Sequence, residues 1–408
     1  MTARQAALLA AGLIALLPSA VDAAPRPGAV VLPPVTFTQD DGLGLGVYVG
    51  VQKKTSDDQQ RIIERPWLWD FGVIAMIYLK PHPVAWGVAG TLSWAPKRME
   101  RMELVLNLGS HGWHQDQWFG LGNDSSRDLR KRGEDDPVLD PWHRFGLYQG
   151  RLDARVYYRL LSKLDLFGAV ILTYNRVAVR EDTLLSQQLA SGILENTGSG
   201  FLVSLDAGLR FDTRDSRIDP TRGALLTGTI QATFGSPGPS GRVALDASGY
   251  LAPPNAPVVF AGSLLVQRQF GKVPFYEYGV IVGPEAKPRH FSGVGGVRGI
   301  ARGRIRGPDG LLLHGEVRFR PPGFPIGKLF QLRLEPIVFV DATRVGVLGL
   351  ASEGPALHPG MGAGCRFIIA EQTLFRVDVG AAPELQQDES GTLTHWNVGV
   401  YGTIGQSF

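Results

Sequence analysis

Apolar and polar residues alternate along almost the whole chain. In 43–52 the odd positions are Leu43, Leu45, Val47, Val49 and Val51, and the even positions are Gly44, Gly46, Tyr48, Gly50 and Gln52. In 201–212, Phe201, Val203, Leu205, Ala207, Leu209 and Phe211 fall on one side, and Ser204, Asp206, Arg210 and Asp212 on the other. Segment 145–159 places Gln149, Arg151, Asp153, Arg155, Tyr157 and Arg159 on one side. Period two marks strands, and the helical period is nearly absent. A soluble sandwich also alternates, so run length and face chemistry decide. The runs last about ten residues, the length that crosses a bilayer when tilted. One face is apolar in nearly every run, and the other mixes Asp with Arg, as in a water-filled lumen.

Sixteen such runs are predicted: 30–40, 43–53, 70–80, 84–96, 100–110, 144–160, 162–177, 200–213, 222–235, 241–252, 257–269, 310–320, 330–342, 360–369, 373–380 and 393–405. The number is even, as in bacterial single-chain barrels. The predicted fold is all-β, a sixteen-stranded antiparallel transmembrane β-barrel. With the first strand starting in the periplasm, the extracellular connections include 112–143, 178–199, 270–309, 343–359 and 381–392. The periplasmic ones (97–99, 160–162, 253–256 and 321–329) are mostly short, and 54–69 is the exception. Long loops on one side and short turns on the other are the outer-membrane arrangement.

Residues 1–23 read as a cleaved signal peptide. Arg4 supplies the positive charge, Ala6–Leu17 the apolar run, and Pro18–Ala23 a small-residue cleavage site. The expected mature chain, 24–408, is one exported barrel.

Composition narrows the remaining choices. The 408 residues include 52 glycines, where average usage of about 7% gives about 29. Net charge is only +3, which argues against nucleic acid as a partner. The single cysteine, Cys365, removes disulfide frameworks and cysteine-based zinc sites. His111, His114, Asp116, Asp135, Asp136, Asp140 and His143 fall in a predicted extracellular loop with Trp113 and Trp118. No nucleophile–base signature accompanies them. His314 and His395 share the lumen parity. The run Arg127, Arg130, Lys131, Arg132, Glu134, Asp135, Asp136 is mixed in sign and reads as a solvated loop near lipopolysaccharide phosphates. No cofactor, metal site or enzymatic activity is expected.

Four segments together resemble the BamA/TamA family of outer-membrane assembly barrels, the bacterial surface antigen proteins. Phe211-Asp212-Thr213-Arg214-Asp215-Ser216-Arg217-Ile218-Asp219-Pro220-Thr221-Arg222-Gly223 resembles the family's periplasmic turn, with Asp212, Arg214, Asp215, Pro220 and Gly223 as its marks. Val273-Pro274-Phe275-Tyr276-Glu277 and Gly293-Val294-Gly295-Gly296-Val297-Arg298-Gly299-Ile300 are similar to the long sixth extracellular loop and its Val-Arg-Gly-aromatic tip, with Ile300 in place of the aromatic. Phe339-Val340-Asp341 resembles the Phe-x-Asp of the thirteenth strand, and Phe119–Ser125 a recurrent loop segment. The final Phe408, ending an alternating strand, resembles the signal by which such barrels are recognised for assembly, although Gln406 stands where an apolar residue is preferred.

The resemblance implies that the sixth loop folds into the lumen and that Arg298 pairs with Asp341, with Gly296, Gly299 and Phe339 as neighbours. Strand parity permits this. Arg333, Glu335, Ile337, Phe339 and Asp341 share one face, opposite Leu332, Leu334, Val338 and Val340. Glu316, Arg318, Arg376 and Asp378 also face inward and are candidates for the same network. The segment between Ala24 and the first strand is too short for the POTRA modules that deliver substrates in this family, so a barrel-only member is expected. Pro33 and Pro34 donate no ladder hydrogen bonds, which shortens the expected pairing of strands one and sixteen. The resemblance implies assembly or translocation of protein or lipid substrates by a monomeric barrel in the bacterial outer membrane. Its expected surroundings are outer-membrane lipids and lipopolysaccharide, with the barrel assembly machinery acting during biogenesis. The rival readings are a passive pore or structural surface antigen, and an outer-membrane hydrolase.

Overall fold

A computed structural model describes residues 28–32, 35–38, 42–54, 67–79, 85–95, 99, 101–122, 127–128, 141–195, 197–217, 219–282, 288–326, 330–346, 357–369, 373–388 and 391–404. The signal peptide, Pro33-Pro34, the 54–69 exception (largely), the acidic and basic residues of 130–140, and Phe408 lie outside them.

The chain forms a closed antiparallel barrel of sixteen strands. Strand β1 comes in two pieces, Gly28–Leu32 and Val35–Thr38. Both pair with β2 (Gly42–Lys54) at one unbroken register, Leu32 opposite Tyr48 and Val35 opposite Leu45. The wall continues through β3 (Trp67–Leu79), β4 (Ala85–Trp94), β5 (Met102–Gln117), β6 (Arg144–Leu161), β7 (Leu164–Ala178) and β8 (Gly200–Asp212). It then runs through β9 (Gly223–Gly235), β10 (Ser240–Leu251), β11 (Val258–Gly271), β12 (Asp309–Phe319), β13 (Phe330–Val345), β14 (His358–Ile369), β15 (Thr373–Asp388) and β16 (Gly391–Ile404). Each strand pairs with the next in sequence, and β16 closes on β1. Among the described residues no helix is long and apolar enough to cross a membrane.

The alternation read from sequence is the alternation of the wall. On β13, Glu335, Ile337, Phe339 and Asp341 are buried, while Val338 and Val340 are exposed on the outside. On β8, Leu205 and Leu209 face out, and Asp206 and Arg210 are buried inside. An antiparallel wall with one apolar and one polar face requires this period.

Boundaries differ where alternation fades. Strand β5 runs on to Gln117, so His111, Trp113 and Asp116 lie on a strand and not in a loop. Strand β15 runs to Asp388 and β16 starts at Gly391, so the expected long connection 381–392 is replaced by a hairpin. The pairing of β15 with β14 ends at Met361–Ala381; beyond it β15 continues with β16 and, at Gln386 and Gln387, pairs in parallel with the short strand Arg127–Asp128. An edge projecting past its neighbour tolerates Pro383 and has no lipid face to alternate for.

The long connections gather at one end, and the first and last strands begin and end at the other. At the long-connection end, Trp118, Phe145, Leu147, Leu185, Leu194, Phe275 and Tyr276 form a buried apolar cluster. Helix α1 (Leu184–Ala190) contributes Leu185 and is held by a capping box between Thr183 and Ser186.

Candidate functional site

The connection between β11 and β12 opens with a 3-10 turn at Phe275–Glu277 and a short hairpin, Val280–Val282 with Pro288–His290. The segment after it packs against residues of the wall. Phe291, Val297, Ile300 and Ile305 pack with Leu265, Leu312, Val345 and Ala382 of the strands. Ile300 supplies apolar volume in this seat.

Arg298 is fully buried at the centre. Its Nε donates to Asp341 Oδ2 at 2.8 Å and its Nη2 to Asp341 Oδ1 at 2.8 Å, a bidentate pair. Its backbone N–H also donates to Asp341 Oδ2, at 3.2 Å. The third edge serves two other strands: Nη1 donates to Asp378 Oδ2 at 3.0 Å and to Glu316 Oε1 at 3.3 Å. The guanidinium carbon lies 3.3 Å from the centre of the Phe339 ring, a desolvated cation–π contact worth about 2 kcal/mol. Arg318 Nε donates to Glu316 Oε2 at 2.9 Å, and Arg376 Nε stands 3.5 Å from Asp378 Oδ2. Three guanidiniums therefore share three carboxylates on β12, β13 and β15. The network satisfies the charge balance that buried ions require.

Two contacts beside Arg298 were not anticipated. Gly299 donates its N–H to Tyr401 Oη at 2.8 Å and accepts from Asn397 Nδ2 at 2.8 Å, which ties the tip to β16. Tyr401 and Asn397 share a parity opposite the exposed Val398 and Val400, so the alternation already marked them as inward. His314 Nδ1 also lies 2.8 Å from Asp341 Oδ1. Gly299 has φ +102°, a conformation that favours glycine. A Cβ there would lie 2.7 Å from the Ala382 nitrogen. At Gly296 a Cβ would strike the Phe291 carbonyl.

The periplasmic-turn residues fold locally. Arg214 Nε and Nη2 each donate to Asp212, at 3.0 Å. Asp215 accepts from the Thr221 N–H at 2.8 Å, from the Arg222 N–H at 3.1 Å and from the Thr221 hydroxyl. Gly223, φ +95°, starts β9, and Pro220 is buried beside Asp219. Asp219, which the sequence reading did not single out, reaches Arg320, Arg333 and Arg366, and these three also hold Glu335.

The residues weighed for hydrolysis do not assemble a site among the described residues. Asp116 pairs with Arg302 at 3.5 Å. His143 is buried, with Nδ1 2.9 Å from the Trp118 carbonyl. His111 stacks near Trp113. The Asp116–Arg302 pair joins β5 to the loop, and the His111–Trp113 contact lies within β5. His395 is exposed.

No family model matches the chain, and no curated protein matches it in sequence. Solved structures match it in shape. The structure of BamA from Haemophilus ducreyi lacking POTRA domains 1-3 aligns over 93% of this chain and 70% of that one, with TM-score 0.54 and 13% identity. CdiB from Escherichia coli aligns over 94% of this chain and 64% of its own, with TM-score 0.55 and 13% identity. CdiB from Acinetobacter baumannii aligns over 93% and 60%, with TM-score 0.53 and 11% identity. The chain thus spans less than two thirds of the CdiB structures. The likeness is one of fold.

Proposed function

We propose that this chain is a bacterial outer-membrane barrel that acts in the assembly or translocation of protein or lipid substrates. Its wall opens between β1 and β16 while the inward-folded loop braces β12, β13 and β15. The observation that carries the reading is the contrast between these two regions. Among the described residues β1 meets β16 at one register pair, Phe37 opposite Gly402, whereas Arg298 alone engages carboxylates on three strands. Where it is described, this ladder offers few hydrogen bonds to break, and a buried charge network on the neighbouring strands resists deformation. The fold shared with BamA and CdiB supports the same class of work. Outer-membrane lipids and lipopolysaccharide are the proposed surroundings of the apolar band, and the barrel assembly machinery its proposed partner in biogenesis.

Depletion followed by a census of outer-membrane proteins and lipids tests this reading. Loss of a defined class of outer-membrane components is the expected result, and an unchanged census overturns it. A passive pore is the second reading. It is favoured by the mixed charges on the inner face of β6, β8 and β10, where Arg155 bonds both Asp153 and Asp206 and Arg242 bonds Glu277. Large, steady bilayer currents from the wild-type barrel that persist in Arg298→Ala would favour it.

A further inference from the structure

A second charged cluster sits at the short-connection mouth. The turn 213–222 joins β8 to β9, yet its Asp219 ends on side chains from β12's exit, β13 and β14. Arg320 and Arg333 each donate through Nη2 to Asp219 Oδ2. Their Nε groups donate to Glu335 Oε1, at 2.8 and 2.9 Å. Arg366 donates through Nη1 to Glu335 Oε2 at 2.9 Å and through Nη2 to Asp219 Oδ1 at 3.4 Å. Two carboxylates thus fix three guanidiniums in place, and one of the two arrives on the turn that joins β8 to β9.

The cluster borders a cavity of about 610 Å³ lined by Arg222, Arg320 and Arg333 together with Asp215, Ala252, Ala256, Pro257 and Pro321 among others. Arg320 and Arg333 retain some exposure, and Arg222 is exposed. Asp215 is occupied by the Thr221 hydroxyl and by two backbone amides. Counting Arg366 and the two clustered carboxylates, four guanidiniums face three carboxylates around this mouth. Preset arginine edges beside a positively biased cavity are the chemistry that recognises phosphate. The alanine and proline lining leaves room for more than a bare anion.

We propose that this cavity binds a phosphate group, on a lipid headgroup or as the free anion, and that Asp219 occupies part of the same arginine surface when the site is empty. Ligand phosphate and the Asp219 carboxylate then compete for Arg320 and Arg333, so occupancy loosens the 213–222 turn. The site is separate from the Arg298 network and requires neither the seam nor the loop to move.

The test is equilibrium binding to the purified full barrel by native mass spectrometry, with dihexanoyl phosphatidic acid and inorganic phosphate as probes and dihexanoylglycerol, which bears no phosphate, as the control. Wild type is expected to bind one phosphate-bearing probe in preference to the control. Asp219→Asn should bind it several-fold tighter, because a competing carboxylate is gone. The pair Arg320→Gln and Arg333→Gln should bind about tenfold more weakly, as loss of charged hydrogen bonds predicts. Arg222→Gln, at an exposed position outside the ion cluster, should weaken binding in a barrel whose fold is undisturbed. Competition by inorganic phosphate assigns the site to the free anion, and binding of the lipid alone assigns it to a headgroup. Equal binding of the control, no binding of either probe, or unchanged binding in both Arg222→Gln and Asp219→Asn overturns the proposal.

Discussion

Glu335 and Asp341 face inward from the same strand, β13, and each anchors an arginine cluster reached from a different mouth of the barrel. Asp341 takes the Nε and Nη2 groups of Arg298, carried by the connection at the long end. Glu335 holds Arg320, Arg333 and Arg366 beside Asp219, carried by a turn at the short end. One strand is therefore pinned from both openings, while among the described residues β1 and β16 share a single register pair.

Arg298→Ala leaves Asp341, Glu316 and Asp378 buried with one guanidinium fewer. Breaking a buried pair by removing one partner costs about 3–5 kcal/mol, and the cation–π contact with Phe339 is lost as well. The loop is expected to leave its seat. Limited proteolysis within 272–308 should become at least tenfold faster, and small flickering bilayer currents should grow. Equal cleavage rates in mutant and wild type would mean that the pair does not hold the loop.

Gly299→Ala tests the seat without touching charge. The residue sits at φ +102°, where an L side chain is strained by about 1–3 kcal/mol. The added Cβ would also lie 2.8 Å from the Ala381 carbonyl carbon. The expected phenotype is a weaker copy of Arg298→Ala in the same proteolysis assay. A matched change at Gly192, φ +75° with open space around a Cβ, should leave the loop protected.

Most of the wall was legible in the sequence because a two-faced membrane strand has to alternate. The sixteen runs and the inward set Arg333, Glu335, Phe339 and Asp341 follow from parity alone. The ends of β5 and β15 were not legible. Past the bilayer the lipid face disappears, and a segment such as Ala381–Gln387 pairs without alternating. The companions of Arg298 were legible by parity as inward residues, but the sharing of its third edge between Glu316 and Asp378 depends on how far a loop descends. Asp219 was hidden for a similar reason. It stands in a turn whose neighbours in sequence are β8 and β9, and its partners are at the exit of β12 and on β13 and β14, which only folding of the sheet brings near.

His290 gives the loop a pH dependence. It stands at the end of the loop hairpin, where burial and the nearby Arg306 and Arg302 push its imidazole down to about 3, against the pull of Asp116. A released loop would protonate this group near the ordinary value of about 6.5. Between those values the released state binds a proton that the seated state does not. The seated loop therefore keeps its full stability above about pH 6.5 and loses it as pH falls toward 3. Proteolysis of 272–308 with an acid-tolerant protease should accelerate over that window. In His290→Gln the part of the acceleration due to this group should vanish. An identical pH profile in the variant would remove His290 as the cause.

The seam supplies the prediction closest to function. Phe37 and Gly402 are the register partners through which β1 and β16 meet, so cysteines at these two positions are placed to form a disulfide across the closure. The native Cys365 is half-buried on β14 and is replaced by serine in the same background to leave one possible bond. If substrates pass or insert by parting β1 from β16, cells relying on Phe37→Cys/Gly402→Cys should behave as depleted cells under oxidising conditions and recover when a reductant is added. Each single cysteine should be silent. The cross-link has to be demonstrated on the same cells, by a reductant-sensitive shift in mobility. Full function with the bond quantitatively formed would sink the opening-seam mechanism and leave the fixed lumen, with its mixed charges on β6, β8 and β10, as the path to account for.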